Sequence, residues 1–333
     1  MIRTTRWMMV VAAGLAFILP ACGRLGFGSE SQDAVSEEGA GDGIRVAVVA
    51  PGAENDLSST QSIIGGLDAV DGVAELTVIS GIARPEDAAT AARTYADDGY
   101  DLIMVHSSEY GDFLPEIAAD FPEIAFAWGP AADTFGLDNV SSYTAASDEG
   151  GYVLGALAAT MCSRIGVVGP TEVAEAKRYV DGFKLGAEAG GAEVDVIYAG
   201  TFDDVDIAAD AAVVLALNGA DCLTGTARMT VGAIGVAARE GLLWFGTQSD
   251  QTPAAADGVV VASQIYEWEV VLQDLVDDVA RGRLGGNIYG IDLENGGLVV
   301  EFGNVETTAE MTRLVADVSA KVIARQVATT IDG

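Results

Sequence analysis

Ile44 to Ala50 reads IRVAVVA and ends at Pro51-Gly52; further on, Arg164 to Gly169 reads RIGVVG and starts the same pattern again. Each is a short apolar run without strict alternation, the signature of a strand buried on both faces of a parallel sheet. Outward from the first run, Ser58 to Val70 has helical spacing, Leu76 to Ser80 is a strand, and Pro85 to Asp98 is a helix with Glu86 and Asp87 in its first turn. Leu102 to His106 is a third strand, Phe113 to Phe121 a helix and Ile124 to Trp128 a fourth strand. Around the second run lie a helix at Asp148 to Met161, a helix at Glu172 to Ala189, a strand at Asp195 to Ala199 and a helix at Val205 to Leu217. Cys222 to Thr226, Leu242 to Gly246 and Val259 to Ile265 follow as strands, with a helix at Val231 to Arg239 and another at Glu267 to Arg281. Asn287 to Phe302 reads as a β-hairpin around Asn295-Gly296-Gly297, and Thr307 to Gln326 as the last helix. Strands alternating with helices, twice over, predict an α/β fold of two doubly wound, Rossmann-like parallel-sheet lobes. Ligands of such sheets sit outside the carboxyl ends of the strands, which here means a cleft between the lobes.

Composition limits what that cleft can serve. The 333 residues suit two domains and carry 17 basic against 50 acidic side chains, a formal net charge of −33. Such a surface repels phosphate backbones and excludes nucleic acid as a partner. The single histidine, His106, excludes a histidine-clustered metal site and leaves little for a histidine-based triad. No nucleophile–base spacing, no Gly-x-Ser-x-Gly elbow and no phosphate-binding loop is present, so neither catalytic residues nor a cofactor is expected. His106 is open to two readings, a satisfied hinge-side residue or a ligand contact. Asp203 and Asp204 precede a helix and are expected to cap it. Lys177 and Arg178 are expected in surface ion pairs, and Gly150-Gly151 in close helix packing.

The N-terminus reads as an address. Arg3 and Arg6 precede an apolar run from Trp7 to Leu19, too short to span a bilayer, and Leu19-Pro20-Ala21-Cys22 follows. A small residue before a cysteine just after such a run is the pattern of a bacterial lipoprotein signal, with residues 1–21 removed and Cys22 lipidated. Residues 22–43, rich in Gly, Ser, Glu and Asp, read as a flexible tether. The expected place is the extracytoplasmic face of a cell membrane, held by lipid.

The body carries residues that resemble a known family. Asp148-Glu149-Gly150-Gly151-Tyr152 with Gly155, Lys177-Arg178-Tyr179 with Gly182-Phe183, Thr201-Phe202-Asp203-Asp204 and Ser249-Asp250-Gln251 stand in the order and spacing of the basic membrane protein family. The resemblance covers about residues 44–304. It implies a lipid-anchored, monomeric solute-binding protein of an ABC importer, not an enzyme, with the type I periplasmic-binding-protein fold and a membrane permease as partner. Characterised members bind purine nucleosides, which makes a nucleoside-like solute the leading class and another small solute the alternative. Apart from the resemblance, an enzyme of the same cleft architecture is the runner-up and a ligand sensor or adhesin the third reading. Because that fold's chain crosses its hinge three times, the resemblance divides the body into residues 44–145 plus 263–284 for the N-terminal lobe and 146–262 plus 285–304 for the C-terminal lobe. Residues 305–333 are left unassigned.

The family's binding positions transfer unevenly. Its first-lobe motif corresponds to Asp56-Leu57-Ser58-Ser59-Thr60-Gln61-Ser62, where Ser59 replaces a stacking phenylalanine and Thr60 an asparagine. Trp128-Gly129-Pro130 stands where the family offers a ribose aspartate, Gln248 where it offers another (with Asp250 kept beyond it), and Tyr266 where it has a lysine. Phe202 matches an aromatic that sandwiches the base, and Gly225 a glycine lining the pocket. With Tyr110 added, Trp128, Phe202 and Tyr266 would make a neutral, aromatic-lined pocket that stacks a ring but grips a ribose less well. Trp128 is open to a core role instead. Cys162 precedes the first strand of the second lobe and Cys222 begins the third; those strands are neighbours in a doubly wound sheet, and outside the cytoplasm that placement predicts a disulfide.

Overall fold

The computed structural model describes residues 43–331. The signal peptide, Cys22 and nearly all of the tether therefore lie outside the described residues. The first half runs β1 (Ile44–Val49), α1 (Ser59–Asp68), β2 (Val73–Ile79), α2 (Pro85–Asp97), β3 (Leu102–His106), α3 (Leu114–Asp120), β4 (Ala125–Gly129) and β5 (Val140–Ala145). The second runs α4 (Ser147–Ala158), β6 (Arg164–Gly169), α5 (Ala174–Ala189), β7 (Glu193–Tyr198), α6 (Val205–Leu217), β8 (Cys222–Gly225), α7 (Thr230–Glu240), β9 (Leu243–Gln248) and β10 (Val260–Tyr266). The chain closes with α8 (Glu269–Ala280), β11 (Ile288–Ile291), β12 (Leu298–Phe302) and α9 (Ala309–Ile323).

Two six-stranded sheets result, ordered β11-β5-β4-β3-β1-β2 and β12-β10-β9-β8-β6-β7. Every pairing is parallel except β10 with β12. Alternate residues of one strand serve opposite faces, as strand geometry requires. Val46 and Val48 of β1 pack with α1 and α8 through Ile63, Leu67 and Leu272, whereas Ala47 and Val49 pack with α2 and α3 through Ala88, Ala92 and Leu114. The second sheet is covered in the same way by α4, α5 and α9 on one face and by α6 and α7 on the other. The two α/β lobes expected from the alternating pattern are thus present.

Two features of the chain path correct the sequence reading. Asn287 to Phe302 is not a hairpin: β11 lies parallel to β5 in the first sheet, while β12 pairs with β10 in the second. The Asn295-Gly296 turn is real, with Asn295 Oδ1 accepting from the Asp292 and Gly297 amides, but it carries the chain from one lobe to the other. Accordingly the first sheet holds residues as late as Ile291, and Ser263 to Tyr266 belong to the second sheet rather than the first lobe. The fifth strand, β5, had no apolar run to announce it: it reads VSSYTA, and Ser141 and Ser142 are buried. With β11 and β12 so placed, the chain passes between the sheets three times, after β5, after β10 and after β11. Helix α9 packs on α4, in the second lobe.

Two contacts fix the second lobe. Cys162 and Cys222 are joined with Cα atoms 6.1 Å apart, beside the Ile165–Cys222 register of β6 and β8. Helices α4 and α5 meet backbone to backbone at glycines: a Cβ on Gly155 would stand 2.0 Å from the Phe183 carbonyl, and one on Gly186 2.1 Å from the Tyr152 carbonyl. Overpacking of this kind costs about 1–3 kcal/mol because the helices must separate. Gly155→Ala should lower unfolding stability by about that much, measured by denaturant titration. Gly235→Ala, on the exposed side of α7 with nothing within 4 Å of the new methyl, should instead raise it by up to about 1 kcal/mol.

Candidate functional site

Strand ends from both sheets converge on one pocket. Pro51 follows β1, His106 ends β3, Pro130 follows β4, Pro170 follows β6, Thr226 follows β8, Gln248 ends β9 and Tyr266 ends β10, and all of them line it. Ser59, Glu175, Tyr179, Phe202 and Arg228 complete much of the wall. The cavity they enclose is about 60 Å³, below the roughly 300–1,000 Å³ usual for small-molecule sites, so the lobes stand closer here than they would around a bound solute. Among the described residues no cluster of His, Cys, Asp or Glu could hold a metal ion.

The lobes touch across this pocket. Ser249 Oγ donates to the Ser58 carbonyl at 2.8 Å, Gln251 Nε2 to the Leu57 carbonyl at 3.1 Å, and Ser58 Oγ to Gln248 Oε1. Gln251 is itself fixed: its Oε1 accepts from Trp244 Nε1 at 2.7 Å, and its amide also donates to the Thr247 carbonyl. Of the five non-glycine residues with positive φ among the described residues, three sit here: Leu57, Ala227 and Gln248. Such strained backbone persists only where surrounding contacts over-determine it, and it aims Ser58, Arg228 and Gln248 at the cleft.

The resemblance-derived positions separate into three groups. Ser59, Phe202, Gln248 and Tyr266 line the pocket, and Tyr266 is buried there. Gln61 and Asp250 lie in an adjoining depression with Gln248 and Tyr266, and Trp128 lies in a second one with Ser108, Pro130 and Glu175. Trp128 donates to the Ser107 carbonyl at 2.9 Å and stacks on Phe135, ring centroids 5.0 Å apart, so it forms an outer wall. The remaining four are occupied by the scaffold. Asp56 accepts from the Ser58, Thr60 and Gln61 amides and so caps α1. Thr60 is buried and its Oγ1 accepts from the Gly52 amide. Tyr110 is fully buried between α2 and α3 with its hydroxyl donating to the Ile82 carbonyl, so it does not face the cleft. Gly225 is pressed against the Val168 carbonyl, which a Cβ would approach to 2.7 Å; its neighbour Thr226 is the one that reaches the pocket.

The acidic pair before α6 divides its work. Asp204 accepts from the Asp206 and Ile207 amides as a helix cap. Asp203 instead pairs with Arg228, whose side chain is 10% exposed. Lys177 pairs with Asp181 on the surface, but Arg178 reaches the hinge, meeting Asp148 at 3.1 Å and donating to the Ala145 carbonyl at 3.1 Å.

Arg228 and His106 are among the pocket residues that sequence reading left out or undecided. For Arg228 the available signal was a basic residue, rare in this chain, three positions past a strand that ends at the cleft. His106 is 1% exposed, its Nδ1 is 2.8 Å from the Tyr143 hydroxyl, and its Nε2 has no hydrogen-bond partner. Desolvation, opposed by the Ser59 backbone and aided by the nearby Arg228 charge, pushes its pKa down to about 3, so it is a neutral imidazole in the folded protein. Burial likewise raises the Glu175 carboxyl, against the pull of Arg178.

Two α/β lobes joined by three crossings, with a small-molecule pocket between their strand ends, define a two-lobed solute-binding protein. The chain belongs to the ABC transporter substrate-binding protein PnrA-like family, whose model matches residues 44–328, and that is a family of binding proteins rather than of enzymes. It is 32% identical over 206 residues to a purine-binding protein of Brucella abortus (strain 2308), a match spanning 61% of this chain and 58%, under two thirds, of that protein's length. It is 27% identical over 226 residues to the transcriptional activator protein med of Bacillus subtilis (strain 168), covering 67% of this chain and 69% of that one. The crystal structure of an ABC transporter solute-binding protein from Aeropyrum pernix K1 superposes with a TM-score of 0.73 at 21% identity, over 87% of this chain and 94% of the other.

The buried neutral histidine gives a testable pH dependence. Between pH 6.5 and about 3 the unfolded chain binds a proton at His106 that the folded chain refuses, so stability falls as pH falls through 6.5. In unfolding titrations between pH 6.5 and 4, wild type should lose stability more steeply than His106→Gln, by up to about 1.4 kcal/mol per pH unit. Equal slopes would contradict a neutral His106.

Proposed function

We propose that this protein is the extracytoplasmic receptor of an ABC importer, a monomer held to the membrane by lipid on Cys22, which closes its lobes on a nucleoside-like purine and delivers it to a permease. The observation that carries this reading is the pocket itself, which takes Phe202 from one lobe and Ser59 and His106 from the other, so that it is complete only when the lobes are together. A ligand that touches both lobes binds the closed form better and shifts the population toward it. Phe202 offers a face on which a planar ring stacks, and Arg228, His106, Gln248, Thr226 and Tyr179 supply polar groups at its edges. The Brucella relative named for purine binding supports the ligand class. Tyr266 and Gln248, standing where the family has charged groups for the sugar, favour recognition through the base over recognition through the ribose.

A second reading follows from the Bacillus relative named as a transcriptional activator: the closed form reports the ligand to a partner rather than surrendering it to a permease. Purine uptake lost on deletion of the gene supports transport; unchanged uptake supports sensing.

Thermal unfolding against purine nucleosides, purine bases, sugars and amino acids tests the ligand class. A purine at 100 times its dissociation constant should stabilise the protein by about 2.7 kcal/mol, a rise of several degrees. A shift with sugars or amino acids and none with purines would overturn it. The lipid anchor predicts that a labelled fatty acid enters the wild-type protein and not Cys22→Ala; equal labelling, or none in either, would contradict it.

A further inference from the structure

The pocket contains a polar group that its framework leaves unused. Nη2 of Arg228 is buried and has no hydrogen-bond partner among the described residues, while its Nε is taken by the Asp203 carboxylate. The Asp203 carboxylate lies against the guanidinium as a charge contact and neutralises it. The side chain crosses to the first lobe, where Gly52 makes room for it: a Cβ there would stand 3.1 Å from Arg228 Cδ. Arg228 shares the pocket with Phe202 and Gln248, and the left-handed backbone of Ala227, just before it, sets its direction. Buried donors without partners in a binding cleft are donors reserved for a ligand.

Building on the purine reading, we propose that Arg228 determines specificity within it, selecting a 6-oxopurine ring over a 6-aminopurine. A 6-oxopurine presents two adjacent acceptors, O6 and N7, and the Nη1–Nη2 edge of the guanidinium, the edge away from Asp203, presents two adjacent donors; the pairing is bidentate. A 6-aminopurine presents N7 beside a donor amine, which would face a second N–H. The side chain that complements the aminopurine edge is a glutamine or asparagine amide. Gln248 is the pocket's glutamine, and its Oε1 accepts from Ser58 Oγ, which ties its amide to the first lobe rather than leaving it free to turn to that edge. His106 is neutral and adds a second unpartnered nitrogen, Nε2, without adding charge. Because Asp203 offsets the Arg228 charge, and the chain as a whole carries −33, the site favours neutral ligands and disfavours phosphorylated ones.

Inosine and adenosine differ only at this edge and the adjoining ring nitrogen, so titration calorimetry of the full-length protein with each is the test. Wild type should bind inosine at least roughly tenfold more tightly than adenosine, the scale of one bidentate base contact. Arg228→Met should weaken inosine roughly 10- to 100-fold and bring the two affinities close together. Arg228→Lys, which keeps a cation beside Asp203 and loses the fork, should also lose most of the preference. Equal wild-type affinities, a preference for adenosine, or an Arg228→Met that weakens both ligands alike would overturn the role of Arg228 while leaving the purine reading intact. If wild type binds neither, the purine reading fails and this inference fails with it.

Discussion

The functional geometry depends on the hydrogen bonds that span the cleft. Ser249 and Gln251 of the second lobe donate to the Ser58 and Leu57 carbonyls of the first, and Ser58 donates back to Gln248. They bring Ser59 and Arg228 to the same pocket from opposite sheets. Three such bonds are worth about 1.5–4.5 kcal/mol net, the same order as the roughly 2.7 kcal/mol that a ligand supplies at 100 times its dissociation constant. A closure held by bonds of that size is one that a ligand can tip.

The rest of the structure makes that closure repeatable. Gln251 is held by Trp244 and Thr247, so the contact it makes across the cleft is delivered from a rigid base. Strained residues flank it on both sides, Leu57 in one lobe and Gln248 in the other. At the hinge, Arg178 ties α5 to the end of β5 and to the buried Asp148 of α4. The glycine contact between α4 and α5 and the Cys162–Cys222 link keep the second lobe a single body that moves as a unit.

Much of this was legible in the sequence, for identifiable reasons. The core strands are apolar runs buried on both faces, so β1, β3, β6 and β8 announce themselves, and Asp204 caps α6 as its position suggests. β5 is built from hydroxyl residues and carries no such signal. The Asn295-Gly296 turn has hairpin chemistry, but its flanking strands find better partners in different sheets. In the site, a motif frame fixes position along the chain and not the direction of a side chain. That is why Phe202 and Ser59 face the pocket, whereas Asp56 turns inward to cap α1 and Tyr110 is buried between helices. Arg228 was hidden because its meaning comes from Asp203 and Gly52, which are distant in sequence and adjacent only after folding.

The central claim is that a purine holds the two lobes together over this pocket. Spin labels placed on α2 of the first lobe and α6 of the second, with pulsed dipolar spectroscopy between them, measure the lobe separation directly. Saturating purine should collapse the distance distribution onto its shortest component. A distribution that does not change while purine is bound would contradict closure as the means of recognition.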